Sequence, residues 1–197
     1  MATSDLPSPP DRSPQLLSAS TSVLLVVDVQ EKLIPLIPQH QRIIWNIQRL
    51  LQAAQVLEVP ALGTEQYPKG LGPTVEPLRQ RLGPVPEKLS FSCAGCEPFL
   101  KQLDVETRWQ VVAVGIETHV CVQQTVLDLL ARGFDLFVVV DAVGARGELD
   151  HEVALRRMEA AGATLTTTES VMFEWCRRAG TPQFKQISQL VRQSPPP

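Results

Sequence analysis

Three short apolar runs constrain this chain more than any other feature. Residues 23–27 read VLLVV, residues 110–114 read QVVAV, and residues 136–140 read LFVVV. None is long enough to span a bilayer, and the first and third each end in an Asp, Asp28 and Asp141. The runs are continuous rather than alternating and rich in β-branched residues. Such a strand is apolar toward both faces of its sheet, so both faces must be covered.

Helical patterns fall between the runs. Ile43, Ile47, Leu50, Leu51, Ala54 and Leu57 recur at helical spacing. Further helices are expected over 97–103, 122–130 (followed by Arg132 and Gly133), 150–161 and 184–191. Residues 60–64 and 163–167 read as additional short strands, and 67–77, with five Pro or Gly residues, as a loop. Strand–helix alternation predicts an α/β fold with a mainly parallel sheet. Ligands in such sheets sit beyond the carboxyl ends of the strands, at the point where strand order reverses. At 197 residues the chain fits one domain, expected over 21–193, with Ser/Pro-rich tails over 1–20 and 194–197. The sequence shows no basic-then-apolar leader, and its four cysteines are expected to be free thiols in a reducing cytoplasm. A formal net charge of −3 gives no electrostatic reason to expect nucleic acid, and nothing suggests a membrane partner.

Three residues fall at the predicted active edge. Asp28 ends the first strand, as a base, a metal ligand or a simple turn residue. Cys121, in GIETHVCVQQT, lies between a strand and a helix start, where a helix dipole depresses a thiol pKa and backbone N–H groups can hold an oxyanion. Lys88, in PEKLSFS, could hold a thiolate and a carboxylate by charge. His119 offers a Cys–His pairing but stands only two residues from Cys121. Gln30 could fix a loop or a carboxylate. The segment around Tyr67, Gly70 and Gly72 reads as a turn or lid. Cys93 and Cys96 form a CxxC without zinc spacing or the context of a redox motif. No GxGxxG or P-loop occurs.

The Asp of LLVVDVQ, the Lys of PEKLSFS and the Cys of GIETHVCV match in order and spacing the motifs of the isochorismatase-like cysteine hydrolases, over roughly residues 22–171. The segment TEQYPKGLGPT is similar to the isochorismatase domain-containing subgroup, as are the TVLDLL helix and the VVVDA strand. The resemblance implies a three-layer α/β/α fold around a roughly six-stranded sheet and a catalytic triad of Asp28, Lys88 and Cys121. It implies a cis Ile116–Glu117 bond and an oxyanion hole from the Glu117 and Cys121 N–H groups, with Gln30, Tyr67, Ile116 and His119 near the substrate. The nicotinamidases of that family hold a metal through an Asp-x-His and a later His; GTEQYPKG has no His, so neither metal nor cofactor is expected.

The expected activity is hydrolysis of a small amide or related C–N substrate through a thioester. A catalytically marginal binding module and a CxxC redox protein are the alternatives. A homo-oligomer is expected, with Phe173 and Trp175 of VMFEWC as interface or core residues.

Overall fold

The computed structural model describes residues 12–105 and 107–196. Its elements run β1 (Ser22–Val27), α1 (His40–Val56), β2 (Ala61–Gln66), α2 (Pro68–Leu71), α3 (Glu76–Arg79), β3 (Glu87–Lys88), α4 (Glu97–Val105), β4 (Gln110–Ile116), a π-turn (Thr118–Val122), α5 (Gln123–Leu130), β5 (Asp135–Gly144), α6 (Glu148–Ala160), β6 (Thr164–Thr166), α7 (Thr168–Cys176) and α8 (Pro182–Val191). Six parallel strands form one sheet in the order β3-β2-β1-β4-β5-β6. Isolated pairing of Gln30 with Thr74 is antiparallel and lies outside the strands.

The apolar runs divide by parity. Leu24 and Val26 of β1 join Val112, Val114, Phe137 and Val139 under α1, α7 and α8. Val23, Leu25 and Val27 join Val111, Ala113, Leu136 and Val138 against Phe99 of α4, Val126 and Leu129 of α5, and Met158 of α6. The result is a three-layer α/β/α sandwich, as the uninterrupted runs require. Each such fully buried side chain contributes about 1.5–3 kcal/mol of transfer free energy.

Several expectations shift. Residues 1–11 of the expected N-terminal tail lie outside the described residues, but 12–20 are packed. Leu17 is fully buried, its N–H donates to Glu174 Oε2 (2.7 Å), and the Ser18 N–H donates to Gln110 Oε1 (2.9 Å). The segment expected as loop over 67–77 holds α2 and the start of α3. Strand β5 does not stop before Asp141. A register shift against β4, from Ala113↔Val138 to Gly115↔Val143, absorbs the extra residues. Asp141 then caps α7, its Oδ1 accepting from the Thr168 N–H (2.8 Å) and hydroxyl (3.0 Å). Of the two late aromatics, Trp175 packs in the core and Phe173 is 41% exposed. Among the described residues no helix is long and apolar enough to cross a membrane.

Strand order reverses at β1, which is followed in sequence by β2 on one side and flanked by β4 on the other. The crevice beyond β1 and β4 is therefore where a ligand site is expected. Gly115 lets the two strand ends close up: its φ is +116°, and a Cβ there would collide with the Val27 backbone.

Candidate active site

Asp28 follows β1 with a left-handed φ of 51°, a conformation that Asp tolerates better than most residues. Its side chain is fully buried. Oδ2 accepts from Lys88 Nζ at 2.6 Å, and Oδ1 accepts from the Thr64 hydroxyl at 2.9 Å. The Cys121 thiol and this carboxylate are near enough to perturb one another's ionisation. The three motif residues thus arrive from β1, β3 and the π-turn after β4 and meet at one buried carboxylate.

Lys88 donates to Asp28 Oδ2, Gln66 Oε1 (2.8 Å), Phe91 O (2.8 Å) and Ser90 O (3.2 Å). Four acceptors around three N–H bonds hold it as an ammonium. Burial pushes its pKa down, but the Asp28 carboxylate more than offsets that, with help from Cys93 and Cys121, and the net shift is upward. Burial pushes the Asp28 carboxyl up, against the opposing pull of Lys88, Cys121 and Thr64. A raised carboxyl is a better proton acceptor.

The depressed thiol pKa expected from a helix start is not found. Burial, and then the Asp28 carboxylate, push the Cys121 thiol up; Lys88 pulls it down by less. The helix dipole acts in the first turn, but a carboxylate in direct contact outweighs it. A thiol raised in this way holds its proton at neutral pH.

The Ile116–Glu117 bond is cis, as the resemblance implied. Glu117 is 5% exposed. Its carbonyl accepts from the N–H groups of Val120 (3.1 Å) and Val122 (3.2 Å), fastening the turn that carries Cys121. Its carboxylate is gripped from the segment after β5: Oε1 accepts from Arg146 Nε (2.9 Å) and the Arg146 backbone N–H (3.2 Å), and Oε2 from Nη2 (3.3 Å). On the same turn the Thr118 hydroxyl and His151 Nδ1 are hydrogen-bonded at 3.0 Å.

The remaining expected residues divide. Gln30 fixes a loop: its Nε2 donates to Gln66 O (3.0 Å) and Gly72 O (2.6 Å), and its Oε1 accepts from the Gln66 N–H (2.8 Å). Both ends of that amide are engaged with backbone. Ile116 is buried in the core on the α1 face. Tyr67 is half-exposed and, with Pro68, Lys69, Glu87, Lys88 and Leu89, lines a cavity of about 340 Å³ that touches the site through Lys88 and is lined by neither Asp28 nor Cys121. His119 sits on the π-turn, partly buried, with Nδ1 enclosed and making no hydrogen bond. Cys93 and Cys96 are free and engage different partners, Thr64 Oγ1 at 3.3 Å and Glu87 O at 3.7 Å. The one hydroxyl proton of Thr64 goes to Asp28, so the Cys93 S–H donates to Thr64. Burial and the Asp28 carboxylate push the Cys93 thiol up to about 12.

Thr64, Gln66 and Thr125 were not singled out from the sequence. Thr125 bridges Cys121 to Cys93, its hydroxyl donating to Cys121 O (2.6 Å) and accepting from the Cys93 N–H (2.9 Å). The only signal for Thr64 was its place at the carboxyl end of the predicted strand 60–64; Gln66 lies two residues beyond it.

Comparison with known proteins agrees with this fold. The chain is 44% identical to the mouse isochorismatase domain-containing protein 2A over 179 residues, 89% of this chain and 85% of that one. A Caenorhabditis elegans structure described as MAR1 ribonuclease superposes with a TM-score of 0.85 at 40% identity, covering 92% of this chain and 95% of that one. YcaC from Pseudomonas aeruginosa, solved with hexane-2,5-diol and covalent acrylamide, gives 0.83 at 28% identity over 91% and 93% of the two chains. The Escherichia coli YcaC product, described as an octameric hydrolase of unknown specificity, gives 0.84 at 26% over 91% and 92%. The isochorismatase domain model matches residues 22–170, and the chain belongs to the isochorismatase family.

Proposed function

We propose that this chain is a cysteine-dependent hydrolase of a small amide or related C–N substrate, with Asp28, Lys88 and Cys121 as its triad. The observation that carries the reading is the single buried carboxylate shared by the Lys88 ammonium and the Cys121 thiol. Cys121 Sγ attacks the substrate carbonyl carbon as its proton passes to Asp28. The new oxyanion is received by the Glu117 and Cys121 N–H groups. On collapse the C–N bond breaks, and the amine leaves with the proton held by Asp28. Water then attacks the thioester and gives a proton to Asp28. The C–S bond breaks, the acid is released, and Asp28 returns the proton to sulfur. Lys88 stays protonated throughout and offsets the carboxylate in a site from which water is largely excluded.

Tyr67 and the α2 segment lie at the Lys88 end of the site, where they form its rim. The covalent acrylamide on the P. aeruginosa relative is in keeping with a reactive thiol in this fold. A fully buried carboxylate leaves a nucleic-acid backbone little room, so the ribonuclease description of the nematode relative is not carried over. A binding module with marginal turnover is favoured by one observation, the protonated and nearly enclosed resting thiol. The CxxC redox reading has Cys93 and Cys96 bonded to different groups, with Cys93 held protonated.

A panel of small amides, ureido and carbamoyl compounds, with acid quench and mass spectrometry of the intact chain, tests the proposal. The expected result is an acyl adduct confined to Cys121 and turnover of the same compound. A panel with neither adduct nor turnover would sink the hydrolase reading in favour of the module. We infer also that the chain assembles with copies of itself, as the octameric relative does; a monomer in light scattering at micromolar concentration would refute this.

A further inference from the structure

We propose that Arg146 is a positioning residue for the reaction: by clamping the Glu117 carboxylate, it aims the Glu117 backbone amide at the reacting carbonyl oxygen. The inference rests on the hydrolase reading above and adds to it a residue outside all three motifs.

Glu117 is held at two points. Its carbonyl anchors the π-turn through Val120 and Val122, and its carboxylate is fixed by Arg146. The residue's own N–H, the assigned oxyanion donor, is carried on the same Cα as both anchors. With the carbonyl and the side chain each held, that Cα is fixed from two sides, which restricts the backbone rotation that would swing the N–H away. The clamp is a fork: Nε and Nη2 each meet one carboxylate oxygen, which a planar guanidinium does and an ammonium cannot. The Arg146 backbone N–H adds a third bond to Oε1. The clamp is asymmetric in exposure: the Glu117 side chain is 7% exposed and that of Arg146 is 59%. With its cation mostly in water the pair is partly screened, and three directed bonds, one of them from backbone, fix how the nearly buried carboxylate is oriented.

Removing the Arg146 side chain leaves its backbone N–H on Glu117 Oε1, so an Arg146→Ala chain keeps one tether and folds. Two reagents separate orientation from nucleophilicity. p-Nitrophenyl acetate acylates a nucleophile through a tetrahedral oxyanion. Iodoacetamide alkylates the same sulfur with no oxyanion at the carbonyl. In Arg146→Ala, the acylation burst should slow about tenfold, short of the 10²–10³ lost when an oxyanion donor is removed outright. In steady state kcat should fall while KM holds, since the interaction is made in the transition state. Alkylation of Cys121 and the thermal midpoint should stay at wild-type values. Glu117→Gln should behave like Arg146→Ala, and Arg146→Lys, with one donor group instead of a fork, should recover part of the burst rate. Wild-type acylation in Arg146→Ala overturns the inference. So does an equal fall in acylation and alkylation, which would mean that the turn as a whole has been disturbed. A wild-type chain that iodoacetamide modifies at Cys121 but p-nitrophenyl acetate does not acylate overturns the hydrolase reading itself, and the inference with it.

Discussion

Two ion pairs flank the nucleophile, and they are built of the same chemistry under opposite solvation. Lys88–Asp28 is closed at 2.6 Å with both side chains at 0% exposure; Arg146–Glu117 is closed at 2.9 Å with its cation mostly in water. In the first, neither charge has an alternative partner in solvent, so protonation states are coupled and a change in one charge is felt by the other and by the thiol. In the second, water screens the cation and the pair acts through direction more than through energy. On the proposed mechanism, one pair sets where the proton can go, and the other sets where a backbone dipole points.

The largest effect should come from breaking the first pair chemically. Cys121→Ala, Asp28→Asn and Lys88→Ala should each lower turnover on the order of 10³-fold or more, with double variants little worse than singles, because the groups act as a unit. Additive losses would mean that the three do not share one step. Next comes stability. Lys88→Ala strands a buried carboxylate and should cost about 3–5 kcal/mol by denaturant unfolding. The double variant Asp28→Asn with Lys88→Met, which removes both charges, should recover much of it, whereas no comparable loss is expected in Arg146→Ala. Equal stability of the Lys88 and Arg146 variants would erase the contrast between the pairs.

Asp28→Asn sharpens it further by splitting reactivity from catalysis. The carboxylate raises the thiol pKa and Lys88 lowers it, so the Asn variant should alkylate with iodoacetamide roughly tenfold faster at neutral pH while turnover is lost. In the wild-type chain, alkylation of Cys121 should keep climbing past pH 9 instead of levelling near an ordinary thiol pKa of about 8.5. A plateau below pH 7 would reveal a stored thiolate. The smallest effect belongs to His151, bonded to Thr118 on the nucleophile turn. Burial lowers its pKa from 6.5, so the unfolded chain takes up this proton first, and the stability contributed by neutral His151 is lost as pH falls below about 6.5. His151→Asn should flatten that part of the stability–pH curve measured by thermal melts between pH 5 and 7. An unchanged slope would assign it to other groups.

How much of this could be read beforehand follows from how far apart the partners lie in the chain. Val23–Val27 announces a strand buried on both faces because its neighbours in sequence carry the same signal, and the parity split confirms it. Asp28 and Cys121 were legible because a strand end or helix start is a local event. Thr64, which reaches Asp28 across 36 positions, and Arg146, which reaches Glu117 across 29, are ordinary surface-type residues until register brings them in. Asp141 was misread for the same reason: a charge after an apolar run looks like a strand end, and only the shifted register shows it inside β5. The thiol pKa was misjudged because a helix-start argument omits the carboxylate that arrives from another strand. Helix α7 is not among the helices expected from the sequence; it carries a cap in Thr167, whose hydroxyl accepts from the Ser170 N–H.

The strand order also has a consequence during synthesis. β1 is central, yet one of its two neighbours, β4, is encoded about 80 residues downstream. At 5–20 residues per second the ribosome delivers that partner on the order of 10 s after β1 emerges. For that interval a VLLVV segment, apolar on both faces, has half its pairing edge open. The nascent chain is therefore a candidate client for holding chaperones until Ile116 clears the exit tunnel, and codon changes that slow translation between β2 and β4 should lower soluble yield without altering the finished molecule.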